Sequence, residues 1–244
     1  LREDETVRYR TVTNITTFNP DGIDDNVISG VLAFTFGKRE NDMTPVKLRV
    51  EEFRANNVDD GARQAMAQVA LTFNMNEQGA TSDLSHEVAM DALKPVGSLL
   101  EKLVGEPMAV GFLGVRLPDK PASTGTKWKV TVPASTYLAG IYGPAAEAIQ
   151  LDGDITVEFE VMDFVLVNKV PHVLLQSTAT GKPKIFIDTP EFQLEGTVDY
   201  KNESDITIDV ATGLVARIKS DGSAALDFGV ATSQLMTTSI VWRE

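Results

Sequence analysis

The chain has no cysteine among its 244 residues. That absence removes disulfides, thiolate zinc sites, iron–sulfur ligation and cysteine nucleophiles together. Histidine occurs only twice, at His86 and His172. No apolar run approaches the roughly 20 residues of a membrane-spanning helix. Basic residues are outnumbered, 22 Lys and Arg against 35 Asp and Glu, which gives a net charge of -13 and a pI near 4.6. Such a field repels nucleic acid and anionic membrane surfaces, and no cluster of Lys and Arg offsets it. Nucleic acid is therefore not an expected partner. No G-x-S-x-G elbow, phosphate loop or dinucleotide fingerprint occurs. The chain opens at Leu1-Arg2-Glu3-Asp4, with neither an initiator methionine nor the apolar core of a signal peptide. This reads as a mature, exported chain.

What is present is alternation. Hydrophobic residues make up 43% of the chain, enough for a core. They fall at period two over 7–16, 27–37, 46–53, 70–75 and 155–167. The same period returns over 172–177, 184–187, 192–200, 205–210, 214–219 and 236–242. Between these runs stand Asn76-Glu77-Gln78-Gly79, Ala211-Thr212-Gly213 and Ser220-Asp221-Gly222, each read as a turn with a glycine free to take positive φ. The pattern predicts a mostly β protein, an antiparallel sandwich or open barrel. Residues 60–69 are ambiguous between a helical turn and a strand entry. One helix is predicted at about 95–104, where Val96, Leu100, Leu103 and Val104 form an apolar stripe. Pro95 sits in its first turn, Gly105 at its C-terminus, and Pro107 acts as a stop. It is expected to pack on the sheet. The apolar stretches 108–117 and 137–149 read as buried central strands or as the lining of a pocket.

An internal repeat is visible. Residues 28–31 (ISGV) recur at 138–141 (LAGI), and 46–53 (VKLRVEEF) at 157–164 (VEFEVMDF). Both copies of the second run end in an acid and a phenylalanine, Glu52-Phe53 and Asp163-Phe164. Residues 71–75 (LTFNM) match 206–210 (ITIDV) at a longer offset. This predicts a single compact domain, 1–244, built from two related β-units at 7–90 and 126–244. The helix and a crossover, 91–125, lie between them.

The crossover carries Arg116-Leu-Pro-Asp-Lys-Pro121, then Gly125 and Trp128. It resembles an LPxKPVxxGxxW pattern of exported bacterial β-rich proteins of unknown function, with Ala122 where the pattern has Val. A later part of that pattern, an acid before TGL, matches Asp209-Val-Ala-Thr-Gly-Leu214. More faintly, the chain is similar to the half-barrel folds of periplasmic lipoprotein carriers, in which a curved sheet wraps a helix over a hydrophobic cavity. These resemblances imply an extracytoplasmic bacterial protein, at the periplasm or cell surface.

The chemistry-bearing residues weigh against catalysis. Ser85, His86 and Glu87 are sequence neighbours, and neighbours do not converge as a triad must. His172 reads as a plain strand residue. The acidic pairs read as solvated faces, so a hydrolase is only a remote alternative. The oxygen-rich turn at 19–26 offers Asp21, Asp24 and Asp25 as ligands for a structural Ca²⁺, although the EF-hand spacing is missing. No other cofactor is expected. The favoured expectation is non-enzymatic binding of a lipid-like hydrophobic molecule or a protein partner. Met90, Leu100, Phe112, Trp128 and Tyr142 would line the pocket. A structural subunit of a cell-surface assembly, formed by self-association of strand edges, is the alternative.

Overall fold

A computed structural model describes residues 3–56, 60–88, 108, 110–138, 149–188, 193–229 and 231–244. The helix predicted at about 95–104 lies outside these residues, as do Met90, Leu100 and Tyr142.

Thirteen strands form one antiparallel sheet that is not closed into a barrel. In chain order they are β1 Glu5–Asn19, β2 Gly22–Phe36, β3 Thr44–Ala55, β4 Val69–Met75, β5 Thr81–Val88, β6 Lys127–Pro133 and β7 Ile149–Asp152. There follow β8 Asp154–Val167, β9 Val170–Gly181, β10 Lys184–Asp188, β11 Gln193–Asp209, β12 Val215–Asp227 and β13 Thr232–Arg243. Among the described residues two short helices accompany them, α1 Asp60–Met66 and α2 Ala134–Tyr137. The spatial order is β5-β4-β3-β2-β1-β13-β12-β11-β9-β8-β6, with β10 on β11 and β7 on β10. The N-terminal strand β1 pairs with the C-terminal strand β13, so the chain ends join the two halves mid-sheet.

Alternation located most strands but not their lengths. β1 and β2 form one long hairpin whose register runs from Glu5↔Phe36 to Asn19↔Gly22, closed by Pro20-Asp21. Thr and Val at high density carry the pairing further than the apolar pattern shows. The Ser220-Asp221-Gly222 turn is a misreading: all three lie inside β12 and pair with β11 and β13. Gly222 is there for space. A Cβ on it would come 2.6 Å from Thr237 Oγ1 and 2.9 Å from Asn202 Oδ1. The turn at Asn76–Gly79 is as expected: Gly79 has φ 78°, and the Asn76 side chain accepts the backbone N–H of Gln78 and of Ala80. The 60–69 segment resolves into α1 and the start of β4.

The two strands matched in the sequence repeat share a further feature. β3 is bulged against β2 at Glu51, and β8 is bulged against β9 at Met162. These are equivalent positions in VKLRVEEF and VEFEVMDF. Each bulge restores the following phenylalanine, Phe53 or Phe164, to the face that carries Val50 or Val161. The third match is placed differently: β4 lies beside β3, whereas β9 stands between β8 and β11.

The inner face of the sheet carries the core. At the end where β1 begins, Tyr9, Phe34, Phe36, Leu48, Leu71 and Phe73 are buried together. The outer face is polar, but Val31 and Ala33 on β2 are buried there too, 2% and 5% exposed. Arg8 on β1 pairs with Glu51 at 2.8 Å. Arg10 pairs with Glu52 at 3.1 Å and Glu244 at 2.8 Å. The apolar stems of such arginines cover aliphatic surface while their heads stay wet.

Candidate functional site

The segment read as a central strand or a pocket lining, 108–117, forms no strand among its described residues and acts as a plug on the inner face, with Phe112, Val115 and Leu117 lining a cleft. Met108, Val110, Phe112 and Val115 are buried in the core, and only Phe112 and Val115 bridge each other. The conformation depends on Gly111, where a Cβ would sit 2.4 Å from the Val115 carbonyl oxygen. Leu113 and Gly114 then take positive φ to turn the chain back. Phe112 is packed by three rings with centroids at 5.0 Å (Phe34), 5.9 Å (Phe36) and 6.0 Å (Tyr9). Its N–H donates to the Gly79 carbonyl at 2.7 Å.

The motif segment that follows bridges the two edges of the sheet. The Leu117 N–H donates to the Gln78 carbonyl at 2.7 Å, at the turn between β4 and edge strand β5. One residue earlier, the Arg116 carbonyl accepts the indole N–H of Trp128, on the opposite edge strand β6, at 2.8 Å. Trp128 stacks on Phe159 of β8, 5.3 Å apart and 12° from parallel. Gly125 and Thr126 continue toward β6 by bonding to Val161. The strands do not close, but this segment spans the gap at one end.

Behind the plug the interior changes character. The register aligns Ser177, Ser204, Ser220, Ser239 and Thr13 in one row across β9, β11, β12, β13 and β1. The next row runs Ala179, Asn202, Gly222 and Thr237 and ends at Ile15 on β1. Ser204 and Ser220 share a 2.8 Å hydrogen bond, and the Asn202 amide donates to Ser204 at 3.2 Å. Further along, large side chains return: Tyr137 of α2 meets Tyr200 edge-on at 5.6 Å, with Leu138, Ile155, Ile185 and Val198 fully buried. Over β9, β11, β12 and β13 the inner face is thus bulky and apolar at both ends and small in the middle, while the same rows carry Phe159 and Val157 on β8.

At the plugged end a cleft of about 390 Å³ is lined by Met75, Phe112, Val115, Leu117 and Leu214, with Arg39 and Glu77 at its rim. A second cleft, of about 540 Å³, lies beside Arg8, Asp209, Arg243 and Glu244. Asp209 accepts Arg243 Nη2 at 2.9 Å and the Ala211 N–H at 2.9 Å. The hydrogen bond from Arg243 holds its carboxyl below the usual range, against the opposing effect of burial. Burial pushes the Tyr9 phenol up, with Arg243 acting weakly in the opposite sense; its hydroxyl donates to the Val215 carbonyl at 3.0 Å. Both arrangements are structural.

Of the expected lining residues, Phe112 and Trp128 are placed here, Phe112 in the aromatic cluster and Trp128 half-buried at edge strand β6. The expected calcium ligands do not come together. Asp21 lies in the hairpin turn, while Asp24 and Asp25 are successive strand residues on opposite faces, and Asp25 accepts the Thr16 hydroxyl at 2.7 Å. Among the described residues no group of three or more His, Asp and Glu could hold a metal ion. In β5, alternation sends Ser85 and Glu87 to one face and His86 to the other, and Ser85 bonds Thr72 at 3.0 Å. His172 is buried with Nδ1 2.9 Å from the Val170 carbonyl oxygen. The serine row was missed in the sequence because its members are dispersed along five strands; only the register aligns them.

No family model and no curated protein matches this chain. Among solved structures, lipovitellin, in a study of its lipid–protein interactions, aligns with 100% of this chain at a TM-score of 0.54 and 10% identity. This chain spans 25% of the lipovitellin chain. A DUF1329 family protein from Desulfovibrio piger covers 97% of this chain and 85% of its own at 6% identity, but its TM-score is 0.24. A putative outer membrane lipoprotein-sorting domain from Vibrio parahaemolyticus covers 95% and 83% at 7% identity and 0.22. The likeness to lipovitellin is one of fold. No helix among the described residues is long and apolar enough to cross a membrane.

Proposed function

We propose that this protein is a non-enzymatic, extracytoplasmic bacterial binding protein that shelters a lipid-like molecule against the inner face of its sheet. The observation that carries this reading is the profile of that face. Bulky apolar side chains close both ends, and over β9, β11, β12 and β13 the middle rows hold Ser, Ala, Gly, Asn and Thr, flanked by Phe159 and Val157 on β8 and Ile15 on β1. A solid core would fill those rows, since interiors are packed to crystal-like density. Small side chains there leave depth for an apolar guest, and the hydroxyls offer a few oriented polar contacts. The fold shared with lipovitellin, studied for its lipid–protein interactions, lends support. The compartment rests on the LPxKP-type motif, whose segment here spans the sheet edges.

The same reading treats the chain as one domain of two related halves, 7–90 and 126–244. The equivalent bulges at Glu51 and Met162 favour it. Assembly through strand edges is less supported. β5 carries Asp83 at φ 57° and Glu87, and β6 carries Lys127, Lys129 and Pro133, the features that blunt an edge.

Native mass spectrometry after gentle purification tests the proposal. A lipid adduct is expected on the wild type. The double variant Ser204→Leu with Ser220→Leu, which fills the middle row, lowers the adduct at least about tenfold. A wild type with a clean apo mass under those conditions refutes the reading.

A further inference from the structure

The hairpin of β8 and β9 outruns its neighbours. β6 follows β8 only to Lys127↔Glu160, with Gly125 and Thr126 bonding as far as Val161. Past that point β8 continues for six residues, turns through Asn168 and Lys169 at φ 51° and 68°, and returns as Val170. This tip is the largest grouping of exposed apolar side chains among the described residues. Met162 is 46% exposed, Phe164 50%, Leu166 72%, Val167 44% and Val170 40%, with Val210 adjoining through its N–H to the Pro171 carbonyl.

Two properties set the tip apart from an ordinary exposed strand. First, it is apolar on both faces. Phe164 and Leu166 share one face and Val165 and Val167 the other, so no rotation buries the hairpin against a flat partner. A medium that envelops both faces matches this arrangement. Second, the tip's own charge is opposite to that of the chain. Residues 164–171 contain no Asp or Glu and carry Lys169, in a protein of net charge -13. Lys169 stands at the turn itself, where a long stem reaches headgroup phosphates while the apolar flanks enter the acyl boundary.

We propose that the β8–β9 hairpin tip docks the protein on a phospholipid surface, inserting Phe164, Leu166 and Val167 into the interface with Lys169 at headgroup level. This extends the lipid-binding reading by giving the protein a place to meet the bilayer. The acidic remainder of the chain makes a zwitterionic surface the better target, because anionic lipid repels it.

Flotation with phosphatidylcholine vesicles tests the idea. The wild type is expected to float with the vesicles. Phe164→Asp with Leu166→Asp lowers the bound fraction at least about tenfold, since burying one such side chain is worth roughly tenfold or more. Both positions are solvent-exposed, so the melting temperature is expected to be unchanged. Because the chain has no cysteine, Leu166→Cys accepts a single environment-sensitive fluorophore. Its emission is expected to shift blue on vesicles, while the same label at Asp21→Cys, at the opposite end of the strands, does not shift. Equal flotation of wild type and variant, or an unshifted label at position 166, overturns the proposal. So does concentration-dependent dimerisation that the Asp variant abolishes without any vesicle binding, which would make a second copy the occupant. Lipid retention by native mass spectrometry reports on the inner face alone, so its failure is distinguishable from failure of flotation.

Discussion

Replacing Phe112 by alanine measures whether the 108–117 segment is core or connector. The side chain is 4% exposed and touches three other rings at 5.0–6.0 Å. Buried Phe→Ala substitutions cost about 3–5 kcal/mol, the spread depending on how far the site collapses. Collapse is restricted here. Phe112 is held by its N–H to Gly79 and by its carbonyl, which accepts the Val115 N–H at 3.1 Å. Its ring neighbours project from paired strands. The upper part of the range, about 4 kcal/mol, is therefore expected, a large share of the roughly 5–15 kcal/mol that stabilises a folded domain. With a urea m-value of about 2–3 kcal/mol/M, the unfolding midpoint falls by about 1.3–2 M. Phe112→Leu retains most of the volume and costs about 1–2 kcal/mol. A loss below about 1 kcal/mol for Phe112→Ala, the range of exposed positions, would refute the account of this segment as a plug and return it to a loose crossover.

Two glycines give an ordered pair of outcomes. Gly30→Ala drives its Cβ to 2.7 Å from the Glu52 backbone carbonyl oxygen, whereas Gly222→Ala meets only side-chain atoms that can turn aside. Thermal melts are expected to rank Gly30→Ala well below Gly222→Ala, the first costing about 2–3 kcal/mol and the second about 1. The carboxyls of Glu51, Asp83 and Asp209 are each held down chiefly by a hydrogen bond, from Arg8, Asn74 and Arg243 in turn. A depressed folded-state pKa contributes stability that is complete above the unfolded value near 4 and is lost as pH falls through the folded value. Denaturation between pH 5 and 2 is expected to show this decline, and Asp209→Asn to flatten it. An unchanged slope in that variant would count against the Arg243 bond.

Much of the architecture was legible because burial on one face writes itself as period two. Strand positions, the antiparallel class and the turns at 76–79 and 211–213 all follow from that. What escaped was set by register. The serine row is one feature in space and five unrelated residues in sequence. The turn read at 220–222 failed because a glycine needed for close approach has the same signature as one needed for positive φ. The strand reading of 108–117 failed for a related reason: an apolar run is equally a strand or a segment buried by its neighbours, and Gly111 decides between them only once the Val115 carbonyl is in place.

The bulges show how one backbone device serves two ends. In VKLRVEEF and VEFEVMDF the alternation stutters at the same place, two residues standing where one is due before the phenylalanine. The extra residue is pushed out of the ladder in each case. In β3 it is Glu51, which the outer face absorbs by pairing it with Arg8 across β2. In β8 it is Met162, which has no such neighbour and stays 46% exposed. Past the β3 bulge, Phe53 packs against the core, because β2 runs alongside it. Past the β8 bulge the edge partner β6 has ended, so Phe164 returns to the inner face and stays 50% exposed. The stutter that keeps one half of the sheet in register thus starts the apolar tip of the other. Deleting Met162 restores simple alternation with Phe164 and Leu166 still on the face of Val161 and still opposite the same β9 residues, so flotation with vesicles is expected to persist, while Glu51 deletion likewise keeps Phe53 on the core face and removes only the Arg8 pair.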